Sequence, residues 1–302
     1  MIIEKIDVEH INKNISENCQ EYVLKCENNY KNQIFEATKN IINNENIKFV
    51  LLAGPSSSGK TTTSKILMQR LEENGLKALP LSLDDFFVER VETPKWEDGT
   101  YNFETVEAID WNLFSKCMEE LLEGKPCFLP TYDFVTGTKS FSKIPTVLHK
   151  NSIVIIEGLH ALNPVIDNFI PTKKSYKLYI SVNTSIFDDG NLILDNKEVR
   201  LFRRMIRDMY SRSTTISQTL EVWNKVLTGE KLYIDPFVET ADYKINSFHA
   251  YEIGIYKHIL TNLGKKDSDL SMELKKLSKF VSLGFDNIPK DSVLQEFAPK
   301  NC

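Results

Sequence analysis

The stretch Gly54-Pro55-Ser56-Ser57-Ser58-Gly59-Lys60-Thr61 fits G-x-x-x-x-G-K-[ST] at every fixed position. Such a loop turns its backbone N–H groups inward around an anion, and the helix that follows adds the partial positive charge of its N-terminus. The chemistry is polyphosphate binding. Gly54, Ser56, Ser57, Ser58, Gly59 and Thr62 form the cradle, Lys60 spans the β- and γ-phosphates, and the Thr61 hydroxyl ligates Mg²⁺. The loop alone leaves open where the phosphoryl group goes: to water, to a small hydroxyl compound, or nowhere, as in a conformational switch.

Two further groups of residues narrow that choice. A guanine-reading switch needs D-x-x-G at the end of its acidic strand and N-K-x-D later, but this chain has Glu157-Gly158 and then Asn196-Lys197-Glu198-Val199. Phosphoryl transfer to a hydroxyl asks for positioning and charge stabilisation, hence a carboxylate near the acceptor and cations near the phosphates. Asp84 and Asp85 end an apolar run and are candidates for the carboxylate; capping the next helix is the alternative role. Arg200, Arg203, Arg204, Arg207 and Arg212 crowd into thirteen residues. Leu201, Met205, Ile206 and Met209 give that segment a buried helical stripe, leaving Arg200, Arg203, Arg204 and Arg207 on the remaining face, with 200, 204 and 207 on one ridge. Arginine offers a two-pronged donor that suits phosphate better than lysine does, so the face is expected to clamp phosphate.

Strands that end at these residues must position them. The run 47–54 is a short apolar strand ending in glycine, residues 60–75 fit the following helix with Gly75 as its stop, and 76–87 is a second apolar run closed by carboxylates. Residues 151–162 are apolar and β-branched up to Glu157, and 174–182 form another strand. Strands alternating with helices predict an α/β three-layer fold of the P-loop NTPase type with a mostly parallel sheet, whose chemistry gathers at the carboxyl ends of the strands. Ahead of this core, Ile11, Ile15, Tyr22, Val23, Cys26, Tyr30, Ile34 and Ile41 recur at helical spacings, predicting an N-terminal helical segment over residues 1–46. The kinase-like core is expected over 47–264, with residues 265–302 as a C-terminal appendage packed back on it.

The totals bound the partners. Thirty-seven Lys and Arg against 42 Asp and Glu give a net charge of −5, which argues against nucleic acid. The five cysteines, at 19, 26, 117, 127 and 302, are odd in number and unpaired in spacing, so neither a disulfide framework nor a zinc site is expected. With no signal-like or membrane-length apolar run, the expectation is a cytoplasmic protein acting on a small molecule, with no membrane partner; a homo-oligomer stays open. His160 has two readings, substrate contact or a hydrogen-bonded structural histidine, while Trp96, Trp111 and Trp223 are expected as packing anchors.

Taken in order, GPSSSGKTT, LSLDDFF, YNFETVEAID, PTYDFVTG, IVIIEGLHAL, RLFRRMIRDMYSR and TADYKINS give the chain a resemblance to the uridine kinase and phosphoribulokinase family of P-loop kinases, over about residues 47–262. The resemblance implies ATP and Mg²⁺ as cofactors and transfer to the 5′-hydroxyl of a nucleoside. It implies Asp84 as general base, Phe87 as an aromatic near the acceptor's base, and Glu104, in place of an aspartate, holding the ribose hydroxyls. Tyr132 and Phe134 fall on acceptor-pocket aromatics, and Glu157 completes the Mg²⁺ environment with Thr61. Arg204, Arg207 and Arg212 fall on phosphate-reaching arginines, with a lid over about residues 208–240 whose closure excludes water. Two base-reading positions differ: Gly137 stands where uridine kinases carry a histidine, and Val222 where they carry a glutamine. The segments WNKVLTGEKLYIDPFVETADYKINSF and IPKDSVLQEF are similar to a bacterial uridine kinase-like subgroup. A kinase for a phosphopentose or a pantothenate-like acid, and a non-catalytic ATP-binding regulator, are the competing readings; the intact Lys60, Thr61, Asp84 and Glu157 argue against the regulator.

Overall fold

A computed structural model describes residues 3–149, 151–212, 214–264 and 270–299. Cys302, Ser213 of the expected lid and residues 265–269 of the expected appendage lie outside the described residues.

The chain opens with a short strand, β1 (Glu4–Asp7), and a long helix, α1 (Val8–Ile42), which Asp7 caps by accepting from the Glu9 N–H. Asn18 leaves helical geometry (φ −144°, ψ 48°), so α1 is two helical segments joined at a kink. All eight apolar residues picked out by their spacing are buried. Then come β2 (Phe49–Ala53), α2 (Lys60–Glu73), β3 (Lys77–Ser82), α3 (Trp111–Leu122) and the β4–β5 hairpin (Pro130–Asp133, Thr138–Phe141). They are followed by β6 (Ser152–Gly158), β7 (Ser175–Ser181) and a second hairpin, β8 (Thr184–Asp188) with β9 (Asn191–Leu194). The helices α4 (Asn196–Ser211) and α5 (Ile216–Tyr233), strand β10 (Tyr243–Asn246), and α6 (Glu252–Gly264) and α7 (Ser271–Leu277) complete the order.

Five strands form one parallel sheet in the order β10-β7-β2-β6-β3. Pro80 lacks a ladder N–H and lies in β3, at the edge, where that lack is tolerated. Strand β2 is central, and its chain leaves toward β3 past β6, so β2 borders a point where the connections diverge. Alternate residues feed two cores: Val50, Leu52, Ile153 and Ile155 face α1, α2, α4 and α6, whereas Leu51, Ala53, Val154 and Ile156 face α3 and the aromatic loops. The sheet is therefore covered on both faces. The N-terminal helix shares the first core and is tied to its neighbours: the Tyr30 and Thr63 hydroxyls are 2.6 Å apart, and Gln33 exchanges hydrogen bonds with Asn246. Val293, Leu294 and Phe297 of the tail are buried in the same core.

The β1 strand and the β8–β9 hairpin form a separate small sheet that periodicity did not mark. Its turn, Asp189-Gly190, has positive φ at both residues. The register at the main sheet's carboxyl edge is what matters for chemistry. Glu157 of β6 lies opposite Leu52 on one side and Ser82 on the other, so the phosphate loop, the segment leading to Asp84, and Glu157 end on the same edge.

Candidate active site

A cavity of about 770 Å³ opens at that edge. It is lined by Ser56–Thr61, by Asp84 and Glu157, and by Arg204, Arg207 and Arg212. Phe87, Trp96, Tyr101, Phe103 and Phe134 make an aromatic wall, with Glu104 among them. Helix α5 adds Gln218, Val222, Lys225 and Val226 to the lining.

Buried ion pairs hold the phosphate loop from behind. Arg203 is fully buried and gives Glu252 two hydrogen bonds, of 2.7 and 2.9 Å, while also donating to the Ser57 carbonyl at 3.3 Å. Arg200 pairs with Glu230 of α5 at 2.6 and 2.7 Å and donates to the Ser56 carbonyl at 3.1 Å. The expected clamp is thus corrected at these two positions. The helix is buried on two sides, and Arg200 and Arg203 neutralise buried carboxylates and shape the loop's backbone instead of reaching a ligand. Ser57 takes a left-handed conformation (φ 59°) within this grip.

The remaining arginines gather at the cavity around a residue that the sequence reading missed, Asp208. Its carboxylate lies 3.2 Å from Arg204, 2.8 Å from Arg207 and 3.7 Å from Arg212. Three guanidiniums share one buried acid. Burial, reinforced by Arg207, pushes Arg204 and Arg212 below their ordinary range, as expected where cations lack enough counter-charge. Arg204 also donates to the Ser56 hydroxyl at 2.8 Å, and the Arg212 guanidinium sits 5.3 Å over the Phe134 ring. The spacing of Asp208, four residues from both Arg204 and Arg212, was the available signal.

The Lys60 ammonium donates to the carbonyls of Gly54 (2.9 Å) and Pro55 (3.1 Å). The Thr61 hydroxyl is 3.3 Å from Glu157, which also accepts from Ser82 at 3.0 Å. Burial, and then the charge of Asp84, push the Glu157 carboxyl up to about 7. Burial does the same to Glu104, also to about 7, against the pull of Arg204. Glu157 is buried beside the charge of Asp84 and within reach of the Thr61 hydroxyl, and a divalent cation fits that local need. Among the described residues no cluster of three His, Cys, Asp or Glu could hold a metal. Thr61 and Glu157 would therefore share Mg²⁺ with phosphate and water, as this ion prefers.

Asp84 lies on a 3₁₀ turn, Leu83–Phe86, and lines the cavity, while Asp85 turns away to accept from the Tyr132 N–H at 3.3 Å. Several expected residues are not in the cavity wall. Tyr132 is buried behind Phe87 and Phe134, with ring centroids 5.6 and 5.1 Å away, so it backs the aromatic wall without forming it. Gly54 lies beneath the loop, where an added Cβ would stand 2.2 Å from the Ile180 carbonyl. The Thr62 hydroxyl is held by Glu296 of the C-terminal segment at 2.9 Å. His160 is buried outside the cavity lining, and burial drives it down to about 4 and so keeps it neutral.

Gly137 sits at the tip of the β4–β5 hairpin with φ +75°, and an added Cβ would lie 2.6–2.7 Å from Arg90. Turn geometry explains the glycine, and it too is outside the cavity wall. Val222 does line the cavity, one turn after Gln218. Of the tryptophans, Trp111 stacks on Phe169 and Trp223 packs beneath Arg200, as anchors do. Trp96 departs from that expectation and lines the cavity beside Tyr101 and Phe103. Helix α5 is tied to this wall: Lys225 donates to Asp98 at 2.5 Å and to Thr100 at 2.7 Å.

Residues 49–253 match the profile of the Phosphoribulokinase / Uridine kinase family. The chain belongs to that family. It is 28% identical to the uridine kinase of Mycoplasma genitalium over 196 residues, covering 64% of this chain and 82% of that one. It is also 28% identical to the uridine kinase of Saccharomyces cerevisiae, over 83% of this chain but 47% of the yeast protein. The chain spans less than half the length of the yeast relative and of the Arabidopsis thaliana uridine kinase-like protein 5, at 42%. Among solved structures, a possible uridine kinase from Bacillus stearothermophilus aligns over 71% of this chain and 97% of its own, with 20% identity and a TM-score of 0.49. A D-glycerate 3-kinase from Cryptococcus neoformans aligns over 88% and 86%, with 18% identity and a TM-score of 0.34. The family is one of P-loop kinases, and the chain has that kinase-type fold. Among the described residues no helix is long and apolar enough to cross a membrane.

Proposed function

We propose that this protein transfers the γ-phosphoryl group of ATP to the 5′-hydroxyl of a nucleoside of the uridine or cytidine kind, giving the 5′-monophosphate and ADP. The observation that carries the proposal is the cavity in which a phosphate loop, the Asp84 carboxylate and an aromatic wall meet. Asp84 accepts the hydroxyl proton as the 5′-oxygen bonds to the γ-phosphorus and the bond to the β–γ bridging oxygen breaks. Lys60, Arg204, Arg207 and Arg212 hold the phosphate oxygens and meet the charge that spreads over them. Mg²⁺, when bound at Thr61 and Glu157, supplies further charge neutralisation to the phosphates. Glu104 reaches the ribose hydroxyls from a wall where Phe87 and Phe134 offer flat faces to a base. Helix α5, tied to the Trp96 wall through Lys225, excludes water so that the bound hydroxyl is the acceptor.

The arginine geometry favours a neutral acceptor over a phosphopentose. Arg200 and Arg203 are committed to Glu230 and Glu252, so the cations left in the cavity suit one polyphosphate and have little to spare for a second phosphate ester. The test is ADP release from Mg·ATP by the pure protein with the common nucleosides, ribose, ribulose 5-phosphate and pantothenate. Turnover with uridine or cytidine supports the proposal. Turnover only with another acceptor keeps the mechanism and overturns the substrate. ATP binding without turnover on any acceptor favours the regulatory reading.

A further inference from the structure

The tail segment IPKDSVLQEF has no part in the reaction described above, yet it reaches the phosphate loop. Its 3₁₀ turn, Val293–Phe297, is buried through Val293, Leu294 and Phe297. Val293 packs so closely on the loop that its Cγ2 lies 2.5 Å from where a Cβ at Gly59 would be. Phe297 lies 5.0 Å from the Arg203 guanidinium that grips the Ser57 carbonyl. Glu296, between them, lines the cavity and accepts from the Thr62 hydroxyl.

A carboxylate beside a polyphosphate site is unfavourable unless something compensates it. Among the described residues Glu296 forms no ion pair with a lysine or arginine, and the Thr62 hydroxyl supplies one hydrogen bond. A ligand can gain from Glu296 by offering hydrogen-bond donors. In a nucleoside triphosphate those nearest the phosphates are the ribose hydroxyls, since the ribose joins the α-phosphate directly. Thr62 is the third residue of α2, at the helix end that faces the phosphates. We infer that the C-terminal segment completes the donor-nucleotide site and that Glu296 accepts hydrogen bonds from the ribose hydroxyls of the bound donor. This assignment rests on the ATP-site reading above but not on the acceptor.

Binding measured without an acceptor tests it. Calorimetric dissociation constants for Mg complexes of ATP, 2′-deoxy-ATP and 3′-deoxy-ATP are compared in the full-length protein and in Glu296→Ala and Glu296→Gln. A hydrogen bond to a charged acceptor predicts that the native protein binds ATP about tenfold or more tightly than at least one deoxy analogue. Glu296→Ala is expected to erase that preference with an unchanged melting temperature, and Glu296→Gln, which still accepts through its amide oxygen, to keep part of it. The same preference in Glu296→Ala as in the native protein overturns the inference while leaving the ATP site standing. Equal tightening of all three nucleotides in both variants also overturns it, because Glu296 then acts only by repelling phosphate. Failure of the native protein to bind any of them overturns the ATP site and this inference together.

Discussion

Replacing Arg203 with methionine separates the two jobs given to that residue. The substitution removes two charged hydrogen bonds to Glu252 and the donors to Ser247 and Ser57, at a position with no exposure. Stranding one member of a buried, hydrogen-bonded pair costs about 3–5 kcal/mol, a large part of the roughly 5–15 kcal/mol that holds a domain together. Most of that cost is the uncompensated charge of Glu252, which still accepts from Tyr256 at 2.5 Å and from the His249 N–H at 2.8 Å. Adding Glu252→Gln neutralises it while the amide oxygen still accepts from the His249 N–H and the amide NH2 can donate to the Tyr256 hydroxyl, so the double variant is expected to regain about 2 kcal/mol or more in urea denaturation. ATP affinity is expected to behave differently, falling about tenfold in both variants, because neither restores a donor to the Ser57 carbonyl. Arg204→Met, which empties a cavity position, should lose ATP affinity with little loss of stability. A double variant no more stable than the single, or one that binds ATP like the native protein, would refute the reasoning.

Three further outcomes are expected. Asp84→Asn should lower kcat by about 10²–10⁴-fold, the usual worth of a general base, with ATP affinity unchanged in calorimetry; surviving turnover would move the base elsewhere. Because Glu157 is held near 7, the folded state keeps a proton that the unfolded chain, with its carboxyl near ~4.3, has already released. Its contribution to stability therefore falls as pH rises from about 4.5 to 7 and is flat above, and binding of Mg·ATP should release a proton near neutral pH. Glu157→Gln should remove both that slope and that release, as read by denaturation at several pH values and by calorimetry in buffers of different ionisation heat. Gly137→Ala should lower stability by about 1–2 kcal/mol through its left-handed φ and the Arg90 contact, with kcat unaffected; a kcat loss without destabilisation would mean that the hairpin tip meets the acceptor.

What could be read without coordinates followed from local rules. The phosphate loop, the helix after it, the strand ending at Glu157 and the α1 stripe each carry their signal within a few residues, as spacing or as a run of apolar types. The small β1–β8–β9 sheet was not legible, because β1 is four residues long and pairs with a strand about 180 positions away. Trp96 was misjudged for a related reason: a tryptophan looks the same in sequence whether its ring fills a core or a cavity wall, and the chain fold alone decides. Glu296 was missed because nothing near residue 296 says that it will meet Thr62.

The arginine helix shows where pattern ends and packing begins. Helical spacing correctly set Leu201, Met205 and Ile206 inward, but it left Arg200, Arg203, Arg204 and Arg207 together on one presumed outer face. It could not show that α5 and α6 would cover part of that face, because their acids, Glu230 and Glu252, are 30 and 49 residues from their partners. Covering a charge demands a counter-charge, so burial turned Arg200 and Arg203 from ligand groups into struts under the loop. The three arginines that stayed at the cavity share the single carboxylate of Asp208 and keep an excess of positive charge there. One helix thereby supplies both the frame that shapes the phosphate loop and the cations that face it. A shift of this helix would move loop and cations together, and the Arg200–Glu230 pair ties α5 to that movement.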